Sequence, residues 1–193
     1  MKIDKELSIK KHDGVYLPSD DTFLLLEMIE VDGYEHVLEI GCGSGIISLH
    51  CSARGCDVLS IDKDKKAVKS AKINAEKNNL NISVKISHFF SNIDKTDWDT
   101  IIFNPPYLPN DDFIPNDDKW DGGKRGDEVV VRFLEESDDY LKDHGELYTC
   151  YSSLSPTDRI ERIIERKYKI DKLEKRDFFF ETLYGLKLNK RER

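Results

Sequence analysis

His36-Val37-Leu38-Glu39-Ile40-Gly41-Cys42-Gly43-Ser44-Gly45 is an apolar strand running into a turn with glycine at every second position. Ser44 to Arg54 then carries helix formers and stops at Gly55, a suitable end for a helix that opens at the turn. Gly41, Gly43 and Gly45 let backbone N–H groups approach an anionic ligand closely at the helix start. A dinucleotide fingerprint requires glycine three positions after Gly43, where this chain has Ile46, so a pyrophosphate cradle is not expected.

Working outward, strands are expected at Asp57–Ile61, Ile82–Ile86, Asp99–Phe103 and Glu146–Tyr151, the last after a turn at His144-Gly145. Helices are expected from Thr22 after the cap at Ser19, over Asp64–Lys77 with Ala67, Val68, Ala71 and Ala75 on one face, and over Asp127–Asp143. Ser155 and Pro156 read as the cap and first turn of a helix that continues from Arg159 to Lys167. Alternating strands and helices imply a mostly parallel sheet covered on both faces, because parallel neighbours need crossovers. Lys169–Lys175 and Phe178–Leu188 then form a closing antiparallel pair. The expected architecture is therefore α/β: a seven-stranded, mostly parallel sheet ending in an antiparallel hairpin, in one domain over residues 1–193. Residues 1–33 read as a helical lead-in and lid.

The chain has 193 residues and a net charge of -8, with positive residues outnumbering negative ones only after residue 156. An acidic body argues against a grip on duplex nucleic acid, which requires cations to displace counterions. It is compatible with a basic protein partner, or with solubility alone. No apolar run is long enough for a signal peptide or membrane span, so an intracellular, cytoplasmic location is expected. Cys42, Cys51, Cys56 and Cys150 have no paired metal-ligand spacing, which predicts no metal site, and Cys42 lacks a histidine partner that would make it a nucleophile.

Two further features carry chemistry. Asp62 ends the second strand, where a carboxylate can accept both hydroxyl hydrogens of a ribose; capping the next helix is its plainer role, but Asp64 can do that. Without a pyrophosphate pattern, a G-x-G-x-G turn beside a ribose-binding acid fits S-adenosylmethionine. Asn104-Pro105-Pro106-Tyr107 ends the fourth strand. An amide or aromatic amine is a poor nucleophile because its lone pair is delocalised, so it must be held in line with the methyl donor. The Asn104 side-chain oxygen and the Pro105 carbonyl can each accept one N–H, the prolines restrict the backbone, and Tyr107 can stack on a planar group. An ordinary turn is the plain alternative for this tetrapeptide.

With Val15-Tyr16-x-Pro18-Ser19-Asp20-Asp21-Thr22-Phe23 and Gly122-Gly123-Lys124-Arg125-Gly126-Asp127-Glu128, the chain resembles the class I S-adenosylmethionine-dependent methyltransferases of the HemK family. It is most similar to the archaeal and eukaryotic branch that methylates the glutamine of the release-factor Gly-Gly-Gln motif. The resemblance implies that Asp20, Asp21, Thr22, Glu39, Gly41, Gly43, Asp62 and Asn104 border the cofactor, and that Asn104, Pro105 and Tyr107 hold the target glutamine. His88 stands where the family usually has an aspartate for adenine. The resemblance also implies a small zinc-binding activator as partner. An acidic rim at residues 110–121 is expected to attract a basic substrate region. The nearest rival is methylation of an adenine or guanine amino group in RNA or DNA; a non-catalytic cofactor-binding scaffold and a nicotinamide oxidoreductase fit less well.

Overall fold

The computed structural model describes residues 1–94, 98–107 and 125–191. The acidic stretch 110–121 and the glycines and lysine at 122–124 lie outside the described residues. Seven strands form one sheet in the order β3-β2-β1-β4-β5-β7-β6: β1 His36–Ile40, β2 Asp57–Asp62, β3 Ser83–Ile86, β4 Trp98–Phe103, β5 Leu141–Ser152, β6 Tyr168–Asp177 and β7 Thr182–Lys190. Strands β1 to β5 run parallel, whereas β7 lies antiparallel to both β5 and β6. The helices are α1 Asp20–Met28, α2 Ile46–Ser52, α3 Lys65–Lys77, α4 Glu128–Ser137 and α5 Asp158–Lys167.

Alternation along the strands divides the core into two layers. Val37 and Ile102 face α1 and α2 with Leu25, Met28 and Ile47, while Leu38, Ile101 and Phe103 face α4 and α5 with Phe133 and Ile160. Each fully buried Leu, Ile or Phe contributes roughly 1.5–3 kcal/mol. The reversal of strand order falls between β1 and β4, so the carboxyl ends of these strands flank a crevice, the usual ligand position in open α/β sheets.

Four expected boundaries differ. The helix begun at Glu128 ends at Ser137, not Asp143, because Ser137, Asp138 and Asp139 compete for the backbone; the Ser137 hydroxyl donates to the Phe133 carbonyl at 2.6 Å. His144 and Gly145 lie inside β5 rather than in a turn. The register slips there between Trp98 and Thr100, and a Cβ on Gly145 would stand 2.7 Å from Leu141 Cδ1. The α5 cap is Thr157 rather than Ser155. Residues 178–181 form the β6–β7 turn instead of starting β7, closed by the Phe178 N–H donating to the Glu181 carbonyl at 2.7 Å. The lead-in carries one helix, α1; before it, the side chains of Asn74 on α3 and of Asn78, which caps its end, bond the backbone of Lys10 and Ser8.

Candidate active site

A cavity of about 740 Å³ opens at the carboxyl edge of the sheet, where Gly41, Asp62, His88 and Asn104 arrive from the ends of four successive strands. The glycine turn makes this possible. Gly41, Gly43 and Gly45 all have positive φ, and at Gly45, the residue preceding α2, a Cβ would lie 3.0 Å from the Ala71 Cβ as well as straining the backbone.

Asp62 is shared between the turn and its surroundings. One carboxylate oxygen accepts the Gly43 N–H at 3.0 Å and the other the Asp64 N–H at 2.9 Å, leaving lone pairs toward the cavity. Burial raises its pKa, opposed by those two backbone bonds. Asp64 itself caps α3 through the Lys66 N–H at 2.8 Å, so Asp62 is not needed for that cap.

Asn104 is held on both sides of its amide. Its Nδ2 donates to Thr22 Oγ1 at 3.2 Å, and its Oδ1 accepts from the Cys150 thiol at 3.0 Å. Burial pushes the Cys150 pKa well up, so the sulfur remains a donor. Thr22 in turn is anchored to Asp21, a buried carboxylate that also accepts from Tyr16 at 2.7 Å and Tyr107 at 3.3 Å. Burial, and then the Asp21 charge, raise the pKa of both tyrosines. The Tyr107 ring is buried but lines the cavity, and its carbonyl accepts from the Ser155 hydroxyl.

Of the residues singled out from sequence, Asp21, Gly41, Gly43, Asp62, His88, Asn104, Pro105 and Tyr107 line the cavity. Thr22 and Glu39 stand behind it. Glu39 is buried against Ser48, whose N–H it accepts at 3.0 Å, and burial pushes its carboxyl pKa up to about 8. Asp20 is exposed and offers only its carbonyl, to Arg176 at 3.1 Å. His88 Nδ1 lies 3.4 Å from Arg132, whose guanidinium covers the Phe89 ring at 4.2 Å. Asp127 is buried beneath Arg125 and Arg159, tying the described end of the Gly122-to-Glu128 element to α5. Burial holds the Cys42 thiol well above its ordinary pKa, which removes the thiolate a nucleophile requires. Tyr16, Cys150 and Ser155 were not read from sequence as holding the site; only their register brings them there. Among the described residues, no group of three metal-ligating side chains is gathered, and no helix is long and apolar enough to cross a membrane.

Comparisons with known proteins bear on the family and the fold. The family model of the methyltransferase small domain matches residues 6–176. A provisionally named protein N5-glutamine methyltransferase of Methanocaldococcus jannaschii is 40% identical over 154 residues, covering 77% of this chain and 78% of the relative. The eRF1 methyltransferase catalytic subunit of Schizosaccharomyces pombe is 27% identical, covering 96% and 94%. A crystal structure of a methyltransferase from Pyrococcus furiosus superposes with a TM-score of 0.72 at 23% identity, covering 95% of this chain and 89% of the other.

Proposed function

The chain belongs to the methyltransferase small domain family, and on that premise we propose that it methylates the side-chain nitrogen of a glutamine in a class one peptide-chain release factor. S-adenosylmethionine supplies, when bound, an electrophilic sulfonium methyl. The cavity suits it: Gly41 and Gly43 offer room for its methionine portion, Asp62 has lone pairs for two ribose hydroxyls, and His88 and Phe89 flank the space left for the base. Asp21 forms part of the wall, Thr22 and Glu39 support it from behind, and Asp20 contributes through the first turn of α1.

The observation that carries the reading is the fixed Asn104 amide. Because Thr22 accepts from its nitrogen and Cys150 donates to its oxygen, the remaining oxygen lone pair is aimed without having to reorganise. That lone pair accepts one N–H of the glutamine amide, the Pro105 carbonyl accepts the other, and Tyr107 supplies the flat wall. The nitrogen is thereby oriented, which is the largest help an unactivated amide can be given. Once methylated, the amide nitrogen is strongly acidic and releases its proton to water, so no dedicated base is needed.

The names of the relatives from Methanocaldococcus jannaschii and Schizosaccharomyces pombe support a glutamine acceptor, and the second, a catalytic subunit, supports a partner. A small zinc-binding activator would add to an open strand edge, as β3 and β6 are the outer strands; a monodisperse, fully active chain on its own would remove it. The acidic rim at residues 110–121 is kept as a steering element for a basic acceptor. A translation factor as acceptor puts the reaction in the cytoplasm. The rival acceptor, an amino group in nucleic acid, meets the same hook but an acidic body.

The test is transfer of labelled methyl from S-adenosylmethionine to release factor, to release factor with its Gly-Gly-Gln glutamine changed, and to bulk tRNA. Label in the intact factor alone is expected. Asn104→Ala should lower turnover by at least about 100-fold, the scale of losing one preorganised polar contact, with cofactor affinity nearly intact; turnover within a few-fold of wild type would remove the amide-gripping role.

A further inference from the structure

The β6–β7 turn carries Phe178, Phe179 and Phe180, with Phe179 92% and Phe180 83% exposed. Single exposed apolar residues are ordinary, but three in succession on a fixed turn are not. This turn is held on all sides. Phe178 bonds Glu181 across it, Thr182 Oγ1 donates to Asp177 at 2.7 Å, and Ser152 Oγ donates to the Glu181 carboxylate at 2.6 Å. On the other flank Arg176 bonds the Asp20 carbonyl at 3.1 Å and Glu27 at 2.8 Å, clamping the hairpin to α1. The two exposed rings meet edge to face, with centroids 4.6 Å apart. They are a preorganised aromatic pair, the kind of anchor that costs little ordering on binding.

The position of the turn indicates what covers it. Ser152, the last residue of β5, pairs with Leu183 at the start of β7, so the turn projects beyond the carboxyl edge, the edge at which Asn104 and Tyr107 face the cavity. Exposed Leu154 adjoins it, and Ser155 bonds the Tyr107 carbonyl. Behind burial, Asp21, Cys150 and Tyr16, the Glu181 carboxylate makes the smallest contribution to the rise of the Tyr107 pKa. A macromolecule that delivers one side chain to Asn104 approaches the same edge of the sheet from which this turn projects. The hairpin carries a small positive excess within a chain of net charge -8, but what it presents at its tip is two uncharged rings beside the amide-holding hook, which suits an apolar protein surface; nucleic acid, which would also stack on aromatic rings, is an outcome of the test.

Resting on the acceptor proposed above, we propose that Phe179 and Phe180 dock an apolar patch of the folded release factor beside the loop that presents its glutamine. The double variant Phe179→Ser/Phe180→Ser, its aromatic control Phe179→Tyr/Phe180→Tyr and the wild type are compared by methyl transfer to the whole factor and to a short Gly-Gly-Gln peptide. S-adenosylhomocysteine affinity and sedimentation of each protein are measured alongside. The serine variant should raise KM for the whole factor about tenfold or more, the scale of losing one anchor residue, with kcat and S-adenosylhomocysteine affinity unchanged. The peptide, too small to reach the turn, should be used equally by all three proteins, and the tyrosine control should keep most of the wild-type KM. An unchanged KM for the factor overturns the proposal, as does an equal loss on the peptide, which would mean a disturbed site. A lower sedimentation coefficient of the serine variant would give the turn to a second copy of this chain, and lost labelling of tRNA would give it to nucleic acid. Absence of transfer to the factor by the wild type strikes the proposed function itself, and the docking assignment falls with it.

Discussion

Glu39 illustrates how a single buried group sets a pH dependence. Its pKa is raised from 4.5 to about 8, chiefly by burial, with Ser48 opposing. Between those values the folded chain retains a proton that the unfolded chain releases. The stability it contributes is therefore whole below about pH 4.5 and is lost as pH rises through about 8. Glu39→Gln keeps an acceptor for Ser48 but cannot ionise, so thermal unfolding of wild type and variant should diverge with pH. Near pH 5 the two midpoints should nearly coincide; at pH 8.5 the glutamine variant should be more stable on the order of 2–4 kcal/mol. Parallel curves would mean that Glu39 ionises without cost. This carboxylate was visible in the sequence as the acid before the glycine turn, and Asp62 and Asn104 were visible as unusual residue types at strand ends. Cys150 was not, because its chemistry is ordinary and only the pairing of β5 with β4 sets its sulfur against the Asn104 amide.

Elements were legible where burial on both faces made the strand a plain apolar run. The ranges of β1, β2 and β4 follow from that, with Gly41 and Pro105 ending two of them. The α4–β5 boundary was obscured because apolar residues at helical spacing continue from Val129 to Leu141 across the break at Ser137. The seating of α1 was equally hidden: it depends on Gly185 in β7, where a Cβ would stand 2.4 Å from Met28 Sδ and 3.1 Å from Leu24 Cγ. The thioether can swing aside, but the leucine branch cannot without shifting the helix. Gly185→Ala should thus cost about 1–3 kcal/mol, the usual range for overpacking. Because α1 carries Asp21 and Thr22, cofactor affinity should weaken with it, which calorimetric titration would measure beside the melting midpoint. Unchanged midpoint and affinity together would mean that α1 does not rest on β7 at this point.

Across the whole molecule, chemistry occupies the carboxyl edge of the sheet, while the amino edge is stapled by charge. Lys187 of β7, with its side chain 7% exposed, reaches Glu30 after α1 at 2.7 Å, Glu146 of β5 at 2.8 Å and Asp171 of β6 at 3.1 Å. Burial alone would lower its pKa, yet hydrogen bonds to Glu146 and Glu30 hold it above the ordinary lysine value, so the ammonium persists at any working pH. Lys187→Met would leave three acids gathered around an uncharged side chain, with Lys172 still acting on Glu30 through its charge alone. For a fully buried pair such a loss costs roughly 3–5 kcal/mol. Here Glu30 and Asp171 are 59% and 52% exposed, and water offsets part of it, so about 1–3 kcal/mol is expected. The Lys187 hydrogen bond also holds the Glu30 pKa below its ordinary 4.5. Stability from that depression is present above pH 4.5 and is lost as pH falls through the lowered value. The gap between wild type and Lys187→Met in thermal unfolding should therefore be widest near neutrality and close in acid. S-adenosylhomocysteine affinity should not change, because the cavity lies at the other edge; a fall in affinity as large as the fall in stability would show that the two edges are coupled through the sheet.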